Sequence, residues 1–124
     1  MKKSIFSVLM CVCISLVAAQ AQDASHKQLS NKEKVVALLK SIETGDKTPV
    51  SYINPQKYIQ HNLGVKDGLA GFGEVLSKLP PNSAKAHTVR AFQDGNFVFT
   101  HTKYNFFGPK IGFDIFRFEN GKIV

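Results

Sequence analysis

Hydrophobic positions along this chain change their period near residue 84, which separates a helical part from a strand part. Before that point Val35, Leu38, Leu39 and Ile42 recur at the spacing of one helix face. Ser30 followed by Glu33 forms a capping box, in which hydroxyl and carboxylate satisfy free backbone N–H groups at a helix start. Gly45 suits a left-handed C-terminal cap. The pattern therefore predicts a first helix over Asn31–Thr44. Pro49 and Pro55 break "DKTPVSYINPQKYIQHN" into short irregular or helical pieces, with Tyr58 and Ile59 as inward anchors. Asp67 is placed to cap a second long helix with Leu69, Phe72, Leu76 and Leu79 on one face, ended by Pro80-Pro81.

From there the period becomes two. "AKAHTVRAF", "NFVFTHTKYNF" and "IGFDIFRFE" read as strands. Asp94-Gly95 is a two-residue hairpin turn, Phe107 to Lys110 a longer loop, and Asn120-Gly121 the turn into a third hairpin. Helices first and an antiparallel meander afterwards define an α+β fold. With those loops, Phe92 opposes Phe97, Arg90 opposes Phe99, Lys103 opposes Asp114 and His101 opposes Phe116. One face then carries Arg90, Phe97, Phe99, His101, Lys103, Asp114, Phe116 and Phe118. The other carries Val89, Val98, Tyr104, Phe113, Ile115 and Arg117. A bulge in either hairpin would shift these assignments.

Composition adds a compartment. Lys2 and Lys3 precede the apolar run "IFSVLMCVCISLVAA", and Ala19-Gln20-Ala21 fits a cleavage site, so residues 1–21 read as a secretory signal peptide. The run is short for a membrane span, and neither Cys11 nor Cys13 follows the small residue a lipoprotein would need. Residues 22–30 are a flexible lead and 31–124 form one domain, secreted or periplasmic and free of the membrane after cleavage. Both cysteines leave with the signal, so the mature chain forms no disulfide. The chain is basic, with a formal charge of +7, but its Lys and Arg are scattered singly, which argues against nucleic acid as a partner. Ten Phe and no Trp point to a phenylalanine-rich interior. The few histidines left with no cysteine argue against a structural zinc site.

The face with Asp114 combines rings with titratable groups, as a ligand pocket does. A lone buried carboxylate pairs or takes up a proton, and Lys103 opposite supplies the partner. The plainer alternative is a cross-strand ion pair at a wet edge. His61 and His101 are candidate catalytic groups, although a single histidine more often serves structure; His87 falls on the other face. Tyr58 reads as a core anchor and Arg90 as a partner for a carboxylate. Exposed apolar residues on the second face would suit a homodimer.

Three segments, "YIQHN" at Tyr58–Asn62, "DGLAGF" at Asp67–Phe72 and "VRAFQDGNFVFTHTKYNFFGPKIGFDIFRFENGKIV" at Val89–Val124, resemble the SnoaL-like polyketide cyclase family. Within it they are most similar to the branch of predicted aldol-condensation-catalysing proteins. The resemblance runs from about Asn31 onward. It implies the nuclear-transport-factor-2-like cone, a bent sheet wrapped around helices with a pocket on its concave side. It also implies an aspartate acting as acid/base in an intramolecular aldol closure, with neither metal nor cofactor. Asp114 matches that position, with His61 and His101 as pocket histidines and Asn62 part of the motif. An enolate mechanism needs a base beside a carbonyl and donors for the oxyanion: Asp114, then His101 or His61, with Lys103 as electrostatic support. Tyr58, Arg90, Phe99, Lys103 and Phe116 would contact a small-molecule substrate. The branch continues after "GKIV" with a further strand, so this chain is expected to stop before its last strand is complete. A non-catalytic ligand-binding module and a dimeric interaction module are the alternatives on the same fold.

Overall fold

The computed structural model describes residues 28–80 and 82–124. The expected signal peptide, most of the lead, and Pro81 lie outside them. Among the described residues the fold is α+β, with helices α1 (Asn31–Thr44) and α2 (Gly68–Ser77) and a short 3-10 helix (Thr48–Tyr52). Strands β1 (Lys85–Asp94), β2 (Phe97–Asn105), β3 (Pro109–Glu119) and β4 (Lys122–Ile123) form one antiparallel sheet in that order.

Helix α1 starts and stops where local chemistry requires. The Ser30 side chain accepts from the Glu33 N–H, and the Glu33 carboxylate accepts from the Ser30 N–H at 2.7 Å. Gly45 takes the left-handed conformation, φ +74°, and its N–H reaches the Ser41 carbonyl. Helix α2 differs from expectation at both ends. Asp67 stands at its N-cap, but the carboxylate turns away and accepts from the Gln60 N–H at 2.7 Å. The helix also stops at Ser77, with Lys78 as its C-cap, so Leu79 lies beyond it.

The strands fall where the alternation puts them, but the register does not. Asp94 opposes Phe97, which makes Gly95-Asn96 the first turn, and β1 carries a bulge between Thr88 and Arg90. The second loop is Phe106–Gly108, because Asn105 opposes Pro109. That loop is one residue shorter than expected, closed by Phe107 at φ +52° and Gly108 at φ +112°. A one-residue change moves every side chain of the following strand to the other face. Lys103 therefore opposes Ile111, His101 opposes Phe113, and Asp114 opposes Thr100. The expected Lys103–Asp114 and His101–Phe116 pairs are not formed.

The corrected inner face carries Val98, Thr100, Thr102, Tyr104, Asp114, Phe116 and Phe118. It packs against α1, whose Val35, Leu38 and Leu39 form one buried cluster with Ile53, Val98, Phe118 and Ile123. Fully burying side chains of this size contributes about 1.5–3 kcal/mol each, so this cluster is the core. Strand β4 closes it. Phe118 opposes Ile123, Asn54 N–H donates to the Ile123 carbonyl at 2.8 Å, and Val124 N–H donates to the Arg117 carbonyl at 3.0 Å. Lys34 Nζ donates to the Gly121 carbonyl at 2.8 Å, pinning α1 to the β3–β4 turn. Among the described residues no helix is long and apolar enough to cross a membrane.

Candidate functional site

Beyond the core, the inner face of β2 and β3 diverges from the helices and leaves a cleft of about 1000 Å³. Leu39 and Ile42 of α1, Phe72 and Leu76 of α2, Phe106 of the β2–β3 loop and Phe116 of β3 give it apolar walls. Asp114 stands half-buried among them. The acid within "IGFDIF" thus faces a cavity while its neighbours Phe113 and Ile115 point to the other side of the sheet.

Gly112 explains how Asp114 is held. Tyr104 sits opposite Lys110 on β3, and its ring reaches diagonally across Gly112. A Cβ at residue 112 would lie 2.5 Å from Tyr104 Cε2 and 3.4 Å from Asp114 Oδ2. Glycine within a strand often marks such a close approach. With the way clear, Tyr104 Oη donates to Asp114 Oδ2 at 2.6 Å. Thr100, directly opposite, donates to the same oxygen at 3.2 Å. Among the described residues no donor reaches Asp114 Oδ1. Burial pushes the Tyr104 phenol well above its ordinary range, and the hydrogen bond to Asp114 pushes it further. Tyr104 therefore stays protonated and keeps donating across neutral pH.

The motif "YIQHN" forms the cleft's other rim. Gly68 N–H donates to the Tyr58 carbonyl at 2.9 Å, and the Gln60–Asp67 bond lies beside it, so this segment is braced to the start of α2. Tyr58 Oη accepts from Gln60 Nε2 at 2.9 Å, which leaves its own proton for another acceptor. Burial raises the Tyr58 phenol above its usual value. His61 and Lys110 line the same cleft.

Of the residues singled out in the sequence, the structure brings Asp114, His61, Tyr58 and Phe116 together in this cleft. Arg90, Phe99, His101 and Lys103 lie on the opposite, outer face. His101 stacks on Phe113 with ring centroids 4.8 Å apart, and Arg90 Nη1 donates to His101 Nδ1 at 3.3 Å. An arginine only donates, so in this contact Nδ1 is the accepting nitrogen. Neither His101 nor Lys103 can serve Asp114 through the sheet. Sequence reasoning missed Tyr104, Thr100 and Gly112. The signal was the glycine two residues before the acid. Among the described residues no three His, Cys, Asp or Glu side chains gather in a way that would hold a metal ion. No protein-family model matches this chain, and no curated protein matches it.

Proposed function

We propose that the protein is a SnoaL-like acid/base enzyme of the nuclear-transport-factor-2-like fold, acting without a cofactor on a small carbonyl compound. The export pattern of residues 1–21 supports a secreted or periplasmic setting. One observation carries the chemical reading: Asp114 faces an apolar cleft with Oδ2 taken by Tyr104 and Thr100 and, among the described residues, no donor on Oδ1. A carboxylate anchored by one oxygen presents the other in a fixed direction, as a general base requires.

In this reading Asp114 Oδ1 removes a proton from the carbon beside a carbonyl. The C–H electron pair moves into the carbonyl system, and the O–H bond forms on Asp114. The developing oxyanion takes a hydrogen bond from Tyr58 O–H or His61, both on the cleft wall. The enolate carbon then either recovers the proton or attacks a second carbonyl carbon of the same molecule. In the second case a C–C bond forms, and the new alkoxide takes the proton from Asp114.

A second reading has its own support. Two donors on one carboxylate oxygen also describe a structural acid that satisfies a buried tyrosine, in a cleft that only binds. The two separate in D2O with a panel of small ketones and aldehydes, followed by proton NMR. The enzyme reading expects loss of α-protons faster than in buffer, reduced about 10²–10⁴-fold in Asp114→Asn. Ligand saturation-transfer signals in both forms, with exchange in neither, would establish the binding module instead.

A further inference from the structure

Lys110 stands opposite Tyr104 and in line with Gly112 and Asp114, because alternate residues of a strand share a face. It lines the cleft and is exposed, which puts it at the mouth, whereas Asp114 is half-buried. At about 3.3 Å per residue, the Cα atoms of Lys110 and Asp114 are roughly 13 Å apart. Gly112 leaves no side chain of β3 between them, and the Tyr104 ring crosses that gap to reach Asp114. Among the described residues no carboxylate lies within ion-pair distance of Lys110 Nζ. Arg117, which also borders the cleft, is already paired with Glu119. Asp114 is the one acidic side chain among the described residues that line the cleft, and two hydroxyls answer it. Most surface lysines are left to water. This one stands over an apolar cavity, where low-dielectric walls strengthen the pull of a charge.

On the acid/base reading of Asp114, on which this inference rests, we propose that the carbonyl compound taken by the cleft is an anion: a keto acid whose carboxylate is held by Lys110 while its α-carbon lies at Asp114. One unpaired ammonium matches one negative charge. A lysine is a point charge with three donors, which suffices for a carboxylate. A phosphate, with close to two charges at neutral pH, would leave charge unanswered beside Asp114. The spacing selects among keto acids. Two side chains four residues apart on a strand suit a carboxylate several bonds from the reacting carbon, as in 5-oxohexanoate. In a 2-oxo acid the charge adjoins the carbonyl and does not span them. The carbon chain between lies against the Tyr104 ring and Phe106, both on the cleft wall. The carboxylate takes no part in the proton transfer. It fixes the direction of the ligand, and Lys110 offsets the repulsion it meets from ionised Asp114.

Paired titrations of the full chain with 5-oxohexanoate and its uncharged methyl ester test this, with binding read by ligand NMR and turnover by α-proton exchange in D2O. The wild type should bind the acid about five- to tenfold more tightly than the ester, and the preference should shrink as salt is raised. Lys110→Met should remove the preference and Lys110→Glu reverse it, through KM with kcat little changed. Lys110 is exposed, so neither substitution opens the core. Lys103→Met, which takes the same charge from the outer face, should keep the preference. Equal binding of acid and ester in the wild type, binding of neither, a preference that survives in Lys110→Met, or one lost equally in Lys103→Met would each overturn the proposal. Failure of the acid/base reading gives a different result: the acid is preferred through Lys110, yet its α-protons exchange no faster than in buffer. That result would keep the ligand class and remove the enzyme.

Discussion

The two faces of one sheet divide the protein's work, and they do so against the usual expectation of polarity. The inner face, which packs on α1, carries Thr100, Thr102, Tyr104 and Asp114 beside the core residues Val98 and Phe118. The outer face, which no helix covers among the described residues, holds the aromatic rows. Position therefore tells more than composition. An acid can sit inside because neighbouring hydroxyls answer it, as Tyr104 and Thr100 answer Asp114 at 2.6 and 3.2 Å.

Core truncation breaks the comparison most severely. Phe118 on the inner face is 2% exposed and belongs to the central cluster. Phe118→Ala should cost about 3–5 kcal/mol. Phe113→Ala on the outer face should cost under about 0.5 kcal/mol in the isolated chain. Urea unfolding measures both; equal losses would mean that the outer face is part of a core.

Gly112→Ala comes next. Its Cβ would sit 2.5 Å from the Tyr104 ring, so the ring must move and the bond to Asp114 must break. Overpacking of this kind costs about 1–3 kcal/mol. Combining it with Tyr104→Ala should recover much of that cost, because the two changes concern one contact. Additive losses in the double variant would show that glycine is needed for some other reason.

A smaller effect is confined to alkaline pH. The Tyr104 phenol is raised by burial and by Asp114, so the folded state keeps a proton that the unfolded chain releases near pH 10. Its contribution is complete below about pH 10 and is lost as pH rises toward the folded value. Stability should thus fall above that point, and less steeply in Tyr104→Phe. Parallel pH profiles for wild type and variant would contradict the assignment.

The least effect is expected from Lys103→Met. Lys103 opposes Ile111, on the face away from Asp114, so stability in the isolated chain should shift by under about 0.5 kcal/mol, and chemistry in the cleft should not change. A large loss of activity would favour the register read from the sequence.

How much was legible follows from the same contrast. Helix α1 was readable to the residue because its signals are local: Ser30 and Glu33 at one end, Gly45 at the other. The strands and the Asn120-Gly121 turn were readable from alternation and turn chemistry. The faces of β3 were not, because they depend on a loop length. Phe107 adopts φ +52°, a conformation that a phenylalanine does not advertise, and the resulting three-residue loop moved Asp114 to the inner face. Asp114, His61, Tyr58 and Phe116 line the cleft. His101, Lys103, Arg90 and Phe99 were drawn in by the wrong register, and Tyr104 was left out by it. Gly112 carried the missing information, since a strand glycine beside an acid marks a place where another side chain passes.

The central claim is that proton transfer belongs to the inner face, at Asp114. Exchange of α-protons from small carbonyl compounds into D2O, measured side by side for wild type, Asp114→Asn and His101→Ala, tests it most directly. The account predicts acceleration over buffer in the wild type, a loss of about 10²–10⁴-fold in Asp114→Asn, and a nearly wild-type rate in His101→Ala. Full exchange in Asp114→Asn, or an equal loss in His101→Ala, would contradict it.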